Sequence, residues 1–323
     1  FVDTGGAAAA VDLPTRFPPA RGVPACTVDL VLMQALPWGG SEAEQVRARL
    51  DSECEPANMT TDEVAYLAEV YAESDAARAL TLVQGYRTAT SPSGSAADRL
   101  TLMEARFLAR SGSRDEAVAA FEGLIEGADD GWIVADAAAS LVSEVYRPDE
   151  STTAAQAEAV VQRAIDRLEP GSHDVRYALK AMVGFHHSRG QITQALRWQR
   201  RVLGLIPEGD EDRAYEVLTL VRLDLEGNGL GSSTWRTELA QGLEVLPAGG
   251  GAWRELARVD LATDLARRPR EGAALEAAIR GAVEPIPEAD RWNFVAAVAD
   301  DLDWLVQKPE TAEAVRQLND GRF

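Results

Sequence analysis

The chain has 323 residues, 46% of them hydrophobic but only 6% aromatic, with a formal charge of −20 and a pI near 4.6. Such an acidic balance speaks against nucleic acid, which needs a basic face, and against docking on an anionic membrane surface. No run of about 18 apolar residues occurs, so no transmembrane helix is predicted. Of the 32 basic residues only Lys180 and Lys308 are lysines. That bias fits a GC-rich bacterial genome; salt adaptation is the other reading of an acidic, lysine-poor surface.

In chain order, residues 1–25 carry Gly5, Gly6, an alanine run and then Pro14, Pro18, Pro19 and Pro24. This composition predicts an extended Pro/Gly/Ala-rich arm, not a helix. The start has neither the basic nor the apolar region of a signal peptide. It opens on Phe1, as expected where an upstream segment has been removed by processing or truncation.

Residues 26–58 read as a helical hairpin. An apolar stretch, Thr27 to Leu36, is followed by a turn at Pro37-Trp38-Gly39-Gly40. Ser41 to Glu44 reads as a capping box opening a helix to about Ser52. Two antiparallel helices bring Cys26 and Cys54 together at the open end, where a disulfide would stabilise by about 3 kcal/mol. The pair implies an extracytoplasmic place: periplasm, cell surface or secreted. Two reduced thiols would instead mean the cytoplasm.

Residues 59–287 are repetitive. Pro92, Asp129, Pro170, Pro207, Pro247 and Pro287 recur at spacings of 37, 41, 37, 40 and 40 residues, each ending an Ala/Leu/Val-rich helical stretch. A period near forty with two helices per period predicts an all-α solenoid of about seven to eight antiparallel helix pairs. Capping boxes are expected at Thr60–Glu63 and Ser113–Glu116. Candidate core positions are Val64, Leu67, Ala68 and Tyr71, then Leu100, Met103 and Phe107, then Ala117, Phe121 and Leu124. The seven tryptophans are assigned to core or inter-repeat packing. Residues 288–323, with Asp300, Asp301, Asp303, Glu310 and Glu313, read as C-terminal capping helices.

Several units resemble the tetratricopeptide repeat. Leu67, Ala68 and Tyr71 match its first helix. Gly112, Ala117 and Phe121 match its turn and second helix, as do Gly190, Ala195 and Pro207. Trp235 and Leu275 stand where the family has a small residue, and the period exceeds its usual thirty-four. The resemblance, over about residues 60–290, implies a right-handed superhelix with first helices on the concave side and a protein or peptide as partner. Aligned in this way, Arg99, Leu102, Arg106 and Arg110 face the groove in one unit, and Tyr177, Lys180, Gly184, His187 and Ser188 in another. Arginine suits bidentate binding of carboxylates, so an acidic segment is one expected occupant. The other reading is surface charge, some of it paired with the surplus acids.

Catalytic, metal and cofactor sites are not expected. His186 and His187 point about 100° apart on a helix and cannot easily share a metal, and His173 stands away from both. Gly227-Asn228-Gly229-Leu230-Gly231 follows a helix and reads as an inter-helix loop. The acids Asp129-Asp130 and Glu208 to Asp212 lie at helix starts. The expected function is a non-catalytic scaffold, an exported accessory subunit of a larger complex. The alternatives are a cytosolic regulatory adaptor and an enzyme with its site in the superhelix groove.

Overall fold

The computed structural model describes Asp29 and residues 31–33, 40–232 and 234–319. The arm of residues 1–25, Cys26 and the turn at Pro37 to Gly39 lie outside them. The described residues are helical, with no strand among them. They form two compact units, one ending at Pro148 and one starting at Asp149. Nothing in composition or spacing marks that boundary, which falls within the repetitive stretch.

The first unit contains α1 (Ser41–Glu53), a 3₁₀ turn (Pro56–Asn58), α2 (Thr61–Ala72), α3 (Ala76–Thr90), α4 (Ser95–Ser111), α5 (Arg114–Gly127) and α6 (Gly131–Ser140). A π-helical turn, Leu141–Tyr146, continues α6. α2 packs on α3 and α4 on α5, while α3 also packs on α4 and α5 on α6. The first members α2, α4 and α6 touch in turn, so the hairpins stack. The expected core positions hold: Val64, Leu67, Ala68, Tyr71, Leu100, Met103 and Phe107 are buried in one cluster with Met33, Val46 and Leu50.

The helix starts show which caps were legible. Thr60 and Glu63 form the expected reciprocal box, with Glu63 N–H donating to Thr60 Oγ1 at 3.2 Å and Thr60 N–H to the Glu63 carboxylate at 2.8 Å. Ser41 does not cap α1. The N-cap is Gly40, and Ser41 is already helical, donating to Glu42 Oε2. Ser113 is an N-cap by position but accepts no cap bond. A box that was not anticipated, Thr153 with Gln156, opens the first helix of the second unit. Replacing Thr60 by alanine should cost about 1 kcal/mol and Ser113 by alanine far less; urea titration of the two variants measures the difference.

The second unit contains α7 (Ala154–Ile165), α8 (His173–Ser188), α9 (Ile192–Leu203), α10 (Glu211–Asn228), α11 (Thr234–Val245), α12 (Gly251–Arg267), α13 (Gly272–Val283), α14 (Glu288–Trp304) and α15 (Pro309–Asn319). The pairs α8/α9, α10/α11, α12/α13 and α14/α15 pack internally, and α10, α12 and α14 touch in succession. α15 covers the end of this core through Ala312 and Val315, against a cluster with Leu275, Ile279, Val295 and Leu302. Arg316 holds two acids at the end of α14, Asp303 at 3.0 Å and Asp300 at 3.4 Å.

Pro92, Asp129, Pro207 and Pro247 all stand in the loops that follow second helices, Pro170 in the loop after α7, and Pro287 is the N-cap of α14. The glycine stretch departs from its expectation. Gly227 and Asn228 are helical, and only Gly229–Gly231 form a 3₁₀ turn. A Cβ on Gly227 would come within 2.6 Å of Ile192 Cγ2, so the glycine is there for close helix approach. The tryptophans also divide. Trp198 and Trp235 are buried, whereas Trp132, Trp292 and Trp304 are exposed.

Gly249 and Gly251 flank the start of α12 and should behave oppositely. Gly249 has φ +79°, and an added Cβ would strike the Pro285 carbonyl oxygen, which is backbone and cannot swing aside. Gly251 is helical with open space around its Cα. Gly249→Ala should destabilise by about 2 kcal/mol. Gly251→Ala should stabilise by a few tenths, because alanine loses less entropy on folding. Thermal unfolding of both variants checks the sign.

Candidate functional site

The stacking of α2, α4 and α6 in the first unit leaves a groove of about 530 Å³ along their amino-terminal halves. Its floor is apolar: Ala65, Leu102, Met103 and Ile133. Tyr66 from α2 and Trp132 from α6 stand at its sides, and Trp132 is 42% exposed despite its size. Three Arg of α4 share the face below them. Arg99, Arg106 and Arg110 are spaced seven and four apart, which one helical face requires.

Each of these arginines already holds a carboxylate. Arg99 Nη1 lies 2.6 Å from Asp62, a pair exposed on both sides and worth little. Arg106 donates through Nη2 to Asp136 at 2.6 Å and through Nε to Ser140 Oγ at 3.1 Å. Asp136 and Ser140 are buried, so this pair is shielded from water. Arg110 bridges Glu69 of α2 at 3.2 Å and Glu144 of the π turn at 3.3 Å. The arginines therefore tie α2, α4 and α6 to one another, which is the ion-paired reading of these charges.

The π turn has a direct effect here. One added residue in the helical turn changes which side chains share a face, and such turns recur at functional sites. Glu144 stands in this turn and meets Arg110, with Arg106 Nε 3.7 Å away. Burial holds the Glu144 carboxyl above its ordinary range, against the pull of Arg110 and Arg106; the nearby Glu69 raises it further. A folded-state pKa above the unfolded value means that the folded chain binds the extra proton. Stability from this group is present on the acid side and is lost as pH rises from about 4.3 through the folded value. Glu144→Gln should flatten that part of the stability profile; urea titrations across the carboxylate range would show it.

The other three sequence-derived positions, Tyr177, Lys180 and His187, all lie on α8 in the second unit. Lys180 Nζ meets Glu216 Oε1 of α10 at 2.6 Å, and Glu216 in turn accepts from buried Gln199 Nε2 at 2.9 Å. His187 Nε2 is 2.7 Å from Glu226 Oε2. These contacts bind α8 to α10. A separate hollow of about 320 Å³ between α10, α12 and α14 is lined by Arg254, Asp290, the buried Phe294 and the exposed Tyr215.

Sequence reasoning missed Tyr66, Trp132, Glu69, Asp136 and Glu144. Asp136 had a signal: it is the one charge in an otherwise apolar and small-residue stretch, Gly131–Ser140. A lone carboxylate there demands a buried partner. Glu144 had none, because a straight α-helix would not turn it toward Arg106 and Arg110 together. Cys54 is the C-cap of α1 and packs partly against the core, while the Cys26 half of the expected disulfide lies outside the described residues. Among the described residues no group of His, Cys, Asp and Glu is placed to hold a metal ion, and no helix is long and apolar enough to cross a membrane. No protein-family model and no curated protein matches the chain, so the reading of this groove stands on its geometry alone.

Proposed function

We propose that the protein is a non-catalytic scaffold of tetratricopeptide-like hairpins, wound as a right-handed solenoid, that receives a segment of a partner protein in the groove between α2, α4 and α6. One observation carries this reading. An accessible tryptophan and a tyrosine flank an apolar floor, while the surrounding arginines are engaged with carboxylates of the same unit. Rings over an apolar floor are what a binding hot spot requires, and Trp and Tyr dominate such spots. The ion pairs hold the helices and fix the groove's width before a partner arrives, which lowers the ordering cost of binding.

The proposed setting is an exported accessory subunit of a larger complex, with Cys26 and Cys54 joined. The support is that the sequence has only two cysteines, spaced as the ends of the hairpin read from the sequence, and that Cys54 is seated at the end of α1. Thiol titration of the native protein should find no reactive thiol; two would place it in the cytoplasm. Partner capture from the source organism, with the intact chain and with Trp132→Ala, tests the groove. The variant should lose at least tenfold in affinity while keeping its melting temperature within a few degrees. Unchanged affinity would remove the groove from the function.

A further inference from the structure

The arginines of the first unit's groove are engaged with carboxylates. Uncommitted arginines lie in the second unit, on α9. Arg197, Arg200 and Arg201 are exposed, and none of them meets a carboxylate among the described residues. Other arginines of the same unit do: Arg176 with Asp212 at 3.7 Å, Arg254 with Asp290 at 2.6 Å and Arg258 with Asp301 at 2.7 Å. With 3.6 residues per turn, the three share about 100° of the α9 surface. Like charges four apart on a helix repel. The helix dipole favours Arg200 and Arg201, which stand in the last turn, but Arg197 is a turn earlier. Local stability therefore does not explain the cluster.

The cluster borders a hollow. α7 and α9 both pack on α8 and leave about 520 Å³ between them. α9 lines this space with Arg197, Trp198 and Arg201, and the Arg201 guanidinium lies 4.3 Å from the centroid of the Trp198 ring. α7 lines it with Ala155, Glu158, Ala159 and Gln162, again one helical face. The two alanines are exposed one turn apart, so a backbone can come close there. Glu158 is the one carboxylate on the lining, and its Oε1 lies 3.9 Å from the buried His186 Nε2. Gln162 donates its amide to Asp166 at 2.7 Å. One wall is thus cationic and the other is short and carries a single acid.

We infer that this hollow is a second docking surface, independent of the first unit's groove, and that its occupant is an acidic helix of a partner protein laid between α7 and α9. The helix sets carboxylates against Arg197 and Arg201 and small residues against Ala155 and Ala159. Along α9 the two arginines are separated by a rise of about 6 Å. Carboxylates at i and i+4 of a helix alongside have the same separation, and each pairs with a guanidinium through two hydrogen bonds. A helix also satisfies its own backbone. An extended segment would need a sheet edge, and the described residues contain no strand. A second copy of the chain would bring a net charge of −20 against −20. Stacking on Trp198 holds the Arg201 guanidinium in place before the helix arrives.

The test selects binders of the full chain from a displayed library of helical peptides whose outward positions are randomised. Enriched peptides should carry Asp or Glu three or four residues apart, next to alanine or glycine. Arg197→Glu with Arg201→Glu should lower their affinity at least tenfold, and raised salt should weaken binding to the parent. Arg197→Gln with Arg201→Gln, which adds no repulsion, should weaken it as well; melting temperatures near the parent's exclude misfolding as the cause. Arg267→Glu with Arg268→Glu makes the same charge change at exposed arginines that do not line the hollow, and should leave the affinity unchanged, as should Trp132→Ala. Neutral or basic binders, no enrichment, or an equal loss in the Arg267/Arg268 variant would overturn the assignment. So would a dimer of the parent chain that Arg197→Glu with Arg201→Glu disperses in sedimentation, since the surface would then belong to a second copy.

Discussion

Arg106→Ala should destabilise the first unit by about 3 kcal/mol, an effect far beyond that of Arg99→Ala on the same helix face. The contrast follows from burial. Asp136 is 5% exposed and takes the Arg106 guanidinium at 2.6 Å, with Ser140 as a second acceptor. Removing the cation strips charge compensation from a carboxylate that water hardly reaches, and such losses run to about 3–5 kcal/mol; the partly exposed guanidinium puts this pair at the lower end. Arg99 and Asp62 are both more than half exposed, so their 2.6 Å contact is screened and contributes at most a few tenths. Two pairs of equal length thus differ roughly tenfold in effect.

A double variant separates the pair's own worth from the cost of breaking it. Arg106→Met with Asp136→Leu keeps the volume and removes both charges. Stability should return to within about 1 kcal/mol of the parent, because apolar replacement of a buried pair is commonly neutral. The groove would then keep its floor, and Glu144 would keep Arg110 but lose Arg106 as its second cation. Urea unfolding, with amide exchange in α4 and α6 to localise the change, reads all three variants. A double variant as unstable as Arg106→Ala would show that the pair itself is a main stabilising element of the unit.

How much of this was legible depends on what each residue's signal was. The period of the Pro/Asp marks was sound because a chain leaving a helix needs a break there, and proline supplies it whatever the packing around it. Helix faces were sound for a similar reason. Val64, Leu67, Ala68 and Tyr71 repeat at helical spacing, and all are buried. Arg106 and Arg110, four apart, were placed on one face by the same arithmetic, and Arg99 by alignment with the tetratricopeptide repeat. What spacing could not supply was their partners, which lie 30 to 41 residues away along the chain in neighbouring hairpins. The sequence also could not show the π turn, since Leu141–Tyr146 reads as ordinary helix. The Ser41 box failed because the motif suits either of two adjacent starts, and the backbone begins the helix one residue early.

Trp235 is a case where family resemblance pointed to a mismatch and packing resolves it. The position calls for a small residue, yet Trp235 is 1% exposed and among the largest fully buried side chains. Its backbone N–H donates to Asp224 Oδ2 at 3.2 Å, so the buried Asp224 anchors the start of α11. Close by in the same hairpin pair, Gly242 gives up its side chain: a Cβ there would strike Leu256 of α12. Bulk at the head of α11 is thus matched by its absence farther along. The indole Nε1–H, however, is buried without a hydrogen-bond partner, a cost of about 1–3 kcal/mol.

Two substitutions should therefore diverge. Trp235→Ala empties the site and should cost about 4 kcal/mol, the transfer term plus an unfilled cavity. Trp235→Phe loses one ring but also removes the unsatisfied donor, and the two effects oppose each other at similar size. It should stay within about 1 kcal/mol of the parent. Hydrogen exchange of α11 and α12 amides, together with urea unfolding, measures both. If phenylalanine costs as much as alanine, the indole N–H has a partner that matters, and the fit of α11 depends on that bond more than on volume.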